Sequence, residues 1–272
     1  MNLRKLTTVA ALVVAMPLLV LNLYGLTGDI RMDQLDRLDA ALVRFENENY
    51  LSYDQSIAQL DSIESYESTD FVVAATDLVH DSLTHIKWNR VDSRQFRQLI
   101  PAWDNYFLFL VGTFSGLPQF ERYHFVSFRR SLERGIGICG DASMVLSQLL
   151  DRQGIENDIV SFRGHVINRA TLDDGRTILL DADYGVIMDL DLETLTDDPA
   201  TAVKYYMDEG YRDREANVLV RIYRTPFAVF ESVFDFMPKR FVFEYVSYAM
   251  KWLLPLGLLA VAFVNLRGAA RR

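Results

Sequence analysis

A single cysteine, Cys139, rules out an intramolecular disulfide and any multi-cysteine zinc site. It does not reveal the redox compartment, but a free thiol is retained wherever the protein sits. Basic residues are also scarce. Against 37 Asp+Glu stand 28 Lys+Arg, a net charge of −9, and a nucleic-acid binder would need a basic face to neutralise phosphates. No internal repeat, low-complexity linker or metal-ligand spacing of His, Cys, Asp and Glu is present, so no metal and no cofactor are expected. Only four histidines, His80, His85, His124 and His165, are available as bases.

Charge is missing altogether from Leu6 to Leu26, "LTTVAALVVAMPLLVLNLYGL", and about twenty apolar helical residues cross a bilayer. A cleaved signal peptide begins the same way, but its apolar region is shorter and ends in a small-x-small site. This run is long and ends in "NLYGLTGD", so an uncleaved anchor over residues 1–27 is the expectation. A second apolar run spans residues 245–267, with Lys251 as its one charge before Arg267. Tyr245, Tyr248 and Trp252 mark an interfacial belt from which Lys251 can snorkel to the headgroups. A buried C-terminal helix is the alternative. Arg4 and Lys5 at one end, and Arg267, Arg271 and Arg272 at the other, put both termini in the cytoplasm by the positive-inside rule. The middle of the chain is then extracytoplasmic, which in a bacterium means periplasmic, with 268–272 a basic cytoplasmic tail.

Between the spans, residues 29–50 carry Ile30, Leu35, Leu38, Leu42 and Phe45 near helical spacing, predicting an amphipathic helix. Helical patterns continue over 52–89, 97–112 and 118–134, the last rich in aromatics. After Gly154 the period changes. "DIVSFRG", "HVINRATL" and "RTILLDAD" read as strands, with Asp173-Asp174-Gly175 a hairpin signal. Residues 190–211 read as acidic helix, 218–223 as one more strand, and 226–244 as an aromatic segment lying in the membrane interface. The fold class is α+β: a helical first half, a helix headed by Cys139, then an antiparallel sheet.

Cys139 stands where a helical pattern begins. Ala142, Val145, Leu146, Leu149 and Leu150 form its apolar face, and Gly154 ends it. The helix dipole and unpaired N–H groups favour thiolate there, and thiolate is the nucleophile. Gly137 and Gly140 leave room for a carbonyl, and the Cys139 N–H is placed to hold an oxyanion. Asp141 opposes the thiolate but suits the helix N-terminus. His80 and His85 read as ordinary helix residues. His165, after Gly164 and opening a strand, is the candidate base. A three-residue loop at 173–175 sets position 165 opposite Asp183, with Asp181 its diagonal neighbour on the same face. A two-residue loop turns both aspartates away, so pattern alone leaves Asp181 and Asp183 as alternatives for orienting the imidazole. A small buried thiol at a helix start is the simpler reading of Cys139 taken alone.

"GIGICGDASMVLSQLLDRQGI" followed by "GHVINRATLDDGRTILLDADYGV" resembles the transglutaminase-like superfamily, the papain-like group with a Cys–His–Asp triad. Its members show Gly-x-Cys heading a helix that ends in "GI", Gly-His opening a strand, and Asp ending the next. The resemblance covers about residues 120–187. It implies a papain-like core with Cys139 as nucleophile, His165 as base and Asp181 as orienting carboxylate. "DADYG" replaces the more usual "DPTYG", and Val166, Ile167 and Asn168 stand where a tryptophan is frequent. For the oxyanion, Tyr123, His124 and Arg134 are candidates beside the Cys139 N–H.

The resulting expectation is a helical extracytoplasmic region over 28–117 and a transglutaminase-like core over 118–225. The activity it implies is a membrane-anchored thiol-dependent amide hydrolase or acyl transferase working through a thioester acyl-enzyme. A peptide, protein or cell-envelope substrate, the lipid bilayer and membrane-complex subunits are its expected partners. The alternative is a catalytically inactive scaffold or adaptor of this fold in an envelope or exopolysaccharide assembly.

Overall fold

A computed structural model describes residues 3–32, 35, 38–44 and 50–270. Contacts divide the chain into two units, one built from residues 3–32, 92–123 and 242–270, the other from 35–91 and 124–241. This grouping runs across position 117, the expected boundary between helical region and core.

The first unit holds two helices long and apolar enough to cross a membrane, α1 (Leu3–Gly25) and α12 (Pro238–Ala270). Small residues share one face of α1: Thr8, Ala11 and Ala15 are buried, as is Asn22 further along, while Val9, Val13 and Val20 are exposed. Small residues allow close approach between helices in a membrane. Asn22 donates to the Lys251 carbonyl (2.5 Å) and Asn265 to the Thr7 hydroxyl (3.3 Å), so the two helices run antiparallel. A shorter apolar helix, α4 (Ala102–Phe114), belongs to the same unit and breaks helical geometry at Asn105. Lys251 corrects the sequence reading. It does not reach outward but is buried, its ammonium donating to the Asp104 carbonyl at 2.5 Å. Tyr248 donates to the Asp104 carboxylate (2.6 Å) and Asn105 to the Ser247 hydroxyl (2.9 Å). A buried ammonium with a fixed acceptor avoids the cost that snorkelling would otherwise relieve.

The second unit is built on a five-stranded antiparallel sheet. Its strands are β3 (Asn157–Phe162), β4 (His165–Thr171), β5 (Thr177–Asp181), β6 (Val186–Met188) and β7 (Phe227–Phe230), in spatial order β6-β5-β4-β3-β7. Helices cover both faces. Ala170, Ile178 and Leu180 pack with α2 (Tyr53–Ile63), α3 (Ser68–Ser82) and α7 (Cys139–Arg152). Val160, Ile167 and Leu179 pack with α8 (Leu192–Asp197), α9 (Val203–Asp208) and α10 (Asp213–Tyr223). Strands buried on two faces read as apolar runs rather than alternations, as "TILLD" does.

Four further sequence expectations need correction. The described part of 29–50 contains no long helix: Val43 forms a bridge with Ile86, and Arg44 N–H donates to the His85 carbonyl at 2.9 Å. Residues 33–34, 36–37 and 45–49 of that stretch, Phe45 among them, lie outside the described residues. Ile30, Leu35 and Val43 are buried without forming the face of a long helix in the described residues. Residues 218–223 are not a strand but the second half of α10. Buried Ala216, Leu219, Val220 and Tyr223 keep the helical period, and Asp213 and Glu215 favour the helix start. The aromatic stretch 226–244 is not a free interfacial segment. Phe227–Phe230 is the edge strand β7 on β3, followed by the short α11 (Val233–Phe236), and α12 begins at Pro238. Residues 118–134 form not one helix but α5 (Pro118–Glu121) and α6 (Phe128–Arg134).

Candidate active site

Three local features bring separate parts of the second unit to one point. β1 (Thr84–His85) pairs in parallel with β2 (Ile136–Gly137), which leads directly into α7 at Cys139. The register sets His85 beside Gly137. A Cβ on Gly137 would come within 2.9 Å of the Asp141 Cβ, so glycine is what lets the chain turn back against its own helix. The β3–β4 hairpin pairs Phe162 with His165 across a two-residue turn in which Gly164 has φ +115°, a conformation that side chains disfavour. The Gly-His pair is therefore the geometry of that turn. Finally, α7 is bolted to β4. Ser143 donates to the Val166 carbonyl (3.1 Å), and Asn168 to the Ser143 carbonyl (3.1 Å).

The β4–β5 ladder runs from Asn168–Leu180 to Thr171–Thr177, the register of a hairpin centred on Asp174. Position 183 would lie opposite His165, but β5 ends at Asp181 and the chain turns away. The diagonal neighbour takes the contact: His165 Nε2–H donates to Asp181 Oδ2 at 2.6 Å, both side chains fully buried. Tyr206 donates to the same oxygen at 2.6 Å, and Tyr223 donates in turn to Tyr206. The Tyr184 N–H approaches Asp181 Oδ1 at 3.4 Å. Burial acts to lower the His165 pKa, but the Asp181 carboxylate outweighs it with help from the Cys139 side chain, and the imidazole is held well above its ordinary value. With Nε2 engaged, Nδ1 is the nitrogen left for the thiol, and it has no other hydrogen-bond partner.

Asp183 enters from the other side. The Cys139 sulfur, a ring nitrogen of His165 and a carboxylate oxygen of Asp183 all lie within 4.8 Å of one another. Cys139 itself is partly exposed. Asp183 Oδ1 accepts from His85 Nδ1 at 2.6 Å, while Oδ2 is buried without a hydrogen-bond partner. Burial pushes the Asp183 carboxyl up, but His85, His165 and Arg44 together hold it below the ordinary aspartate value. His80 fastens the same turn, its Nδ1 bonding the Asp183 carbonyl at 3.1 Å.

His85 is therefore part of this cluster, whereas its sequence placed it in a helix. α3 stops at Ser82, and the β-branched Thr84 and Ile86 around His85 were the signal of an extended segment. Tyr206, Tyr223 and Arg44 carried no such signal, because only the fold brings them to the aspartates.

The oxyanion candidates fare differently. Tyr123 belongs to the first unit and spends its hydroxyl on Glu244 (3.0 Å). Arg134 is buried over the rings of Trp88 and Phe125. His124 Nδ1 donates to Asp141 Oδ2 at 2.8 Å, and its ring stacks on Trp88. Asp141 Oδ2 also accepts the Ile138 N–H at 3.0 Å, the contact expected of a carboxylate in the first turn of a helix. Burial raises the Asp141 carboxyl, but His124, Arg134 and that N–H more than offset it, and the net shift is downward. Beyond its chain neighbours and its own helix backbone, nothing lies within 4 Å of a Cβ built on Gly140.

No protein-family model matches the chain, and neither does any curated protein or solved structure.

Proposed function

We propose that the protein is a membrane-anchored, thiol-dependent amide hydrolase or acyl transferase with a transglutaminase-like, papain-like core. One observation carries this reading. His165 is fixed by Asp181 through Nε2, which leaves Nδ1 for the thiol of Cys139 at the start of α7. A nucleophile, a base and a group that orients the base are the parts covalent acyl transfer needs.

In the proposed cycle the Cys139 thiolate attacks an amide carbonyl and a C–S bond forms. The Cys139 N–H helps hold the oxyanion. The imidazolium of His165 gives its proton to the departing amine as the C–N bond breaks, leaving a thioester. Water or a second amine then attacks the thioester, neutral His165 takes its proton, and the thiolate leaves. Asp181, braced by Tyr206, keeps the ring aligned and stabilises its charged form. The substrate class is a peptide, protein or cell-envelope amide.

A specific observation favours the second reading, an inactive scaffold in a membrane assembly. Asp183 places another buried carboxylate within 4.8 Å of the sulfur, and negative charge there opposes the thiolate. Alkylation decides between the two. With iodoacetamide at neutral and mildly acidic pH, the enzyme reading expects Cys139 to react at least about tenfold faster than free cysteine at the acidic end. His165→Ala should abolish that excess. A rate equal to that of free cysteine and unchanged in His165→Ala would sink the enzyme and leave the scaffold.

Both apolar helices, α1 and α12, are read as bilayer spans with the basic residues of both ends in the cytoplasm, so that residues 28–244 face the periplasm or exterior. Their antiparallel contacts support a two-span hairpin.

A further inference from the structure

The buried groups around Cys139 are arranged in two shells. The inner shell is the Cys139 sulfur, a His165 nitrogen and an Asp183 oxygen, mutually within 4.8 Å. The outer shell fixes two of these residues: Asp181 holds His165 through Nε2, and His85 holds Asp183 through Oδ1. What remains is His165 Nδ1, which has only the Cys139 thiol beside it, and Asp183 Oδ2, buried without a hydrogen-bond partner, on residues 1% and 7% exposed. Buried polar atoms are nearly always satisfied, so the Asp183 oxygen left unpartnered beside a thiol and an imidazole calls for an explanation.

We propose that Cys139, His165 and Asp183 bind one soft divalent transition-metal ion, Zn²⁺ being the model case. Thiolate, imidazole and carboxylate are zinc's usual ligand types. Zinc bonds of about 2.3 Å to sulfur and about 2.0 Å to nitrogen and oxygen, at tetrahedral angles, place the ligand atoms roughly 3.3–3.6 Å apart, so the cluster closes in by up to about 1.5 Å on binding, within reach of side-chain rotation. A metal-bound histidine commonly gives its other nitrogen to a carboxylate, and a ligating carboxylate is itself hydrogen-bonded. Asp181 and His85 already supply both contacts. Three protein ligands leave a fourth position open, the pattern of an exchangeable rather than a closed structural site. The ligands come from α7, β4 and the turn after β5, which is why no metal-binding spacing was legible in the sequence and none was expected. An ion here occupies the thiolate and blocks acyl chemistry, so it acts as a reversible inhibitor. Binding itself requires only the ligands, not catalysis.

The test uses the full chain in non-ionic detergent, stripped with a chelator and titrated with Co²⁺, then with Zn²⁺ as competitor. The expected result is one Co²⁺ per chain, with the intense visible absorption of a tetrahedral site and a sulfur-to-cobalt charge-transfer band, both removed by Zn²⁺. Cys139→Ser should lose the charge-transfer band, and Asp183→Asn should weaken binding at least about tenfold while keeping the wild-type circular dichroism. If Cys139→Ser does not fold, the charge-transfer band of the wild type still reports thiolate ligation. No stoichiometric uptake, a weak octahedral spectrum without the sulfur band, or unchanged affinity in Asp183→Asn would overturn the proposal. A thiol that binds cobalt but alkylates no faster than free cysteine would reject the enzyme reading and keep this one; fast alkylation without uptake would do the reverse.

Discussion

Asp141 shows how one side chain serves two purposes. From the first turn of α7 it closes onto the Ile138 N–H, and through the same oxygen it holds His124. Because its carboxyl is pushed below the ordinary aspartate value, the stabilisation it gives is present above the unfolded-state pKa. That stabilisation is lost as pH falls through the lower folded-state pKa. Thermal unfolding should therefore show a steep loss of Tm below about pH 4. Asp141→Asn removes a buried carboxylate that accepts from His124 and from the Ile138 N–H, expected to cost about 1–3 kcal/mol, or about 2–12 °C in Tm for a unit of this size. The variant's acid limb should be shallower than that of the wild type. Parallel Tm–pH curves in the two proteins would show that Asp141 is not the responsible group. His85 teaches a different lesson at this scale: a histidine that looks ordinary along the chain becomes the partner of Asp183 once β1 pairs with β2.

At the level of elements, the approach to α7 matters as much as the helix. Gly137 and Gly140 stand on either side of Cys139, two residues before it and one after, and their surroundings differ. A Cβ on Gly137 meets Asp141 at 2.9 Å, whereas one on Gly140 meets nothing within 4 Å. Gly137→Ala is therefore expected to destabilise by about 1–3 kcal/mol through overpacking and to shift the thiol. Gly140→Ala, inside the helix, should be neutral or stabilising by up to about 1 kcal/mol. Urea denaturation measures both changes, and alkylation with a small and a bulky electrophile reads the consequence. Gly140→Ala, whose added Cβ meets nothing within 4 Å, should leave the rates with both reagents close to those of the wild type. Equal stability of the two variants would show that the β2–α7 turn is more pliant than its contacts imply.

For the whole molecule, membrane topology is the property with the clearest consequence. In a Cys139→Ser background, Asp61→Cys places a thiol at an exposed position of α2. Two spans with both ends cytoplasmic predict that a membrane-impermeant maleimide labels it in right-side-out vesicles. Labelling only after the vesicles are opened would reverse the topology. The polar contacts of Asn22, Thr7, Lys251 and Asn265 give the apolar helices a defined antiparallel register that hydropathy cannot specify.

Much was legible along the chain because its causes are local. The apolar runs announced α1 and α12, the helical period announced α7, and Asp173-Asp174-Gly175 set the β4–β5 register. Glycine before His165 marked a tight turn because its backbone conformation excludes side chains. Residues 218–223 misled because β-branched residues also occur on buried helix faces, where packing overrides propensity. The sequence alone determined that Cys139 heads a helix, that His165 opens a strand, and that an aspartate ends the next one. Only the tertiary structure decided that Asp181 takes the His165 contact while Asp183 turns to His85. The physical reason is that β5 ends at Asp181, and the turn after it points the second carboxylate at groups nearly a hundred residues away in the chain.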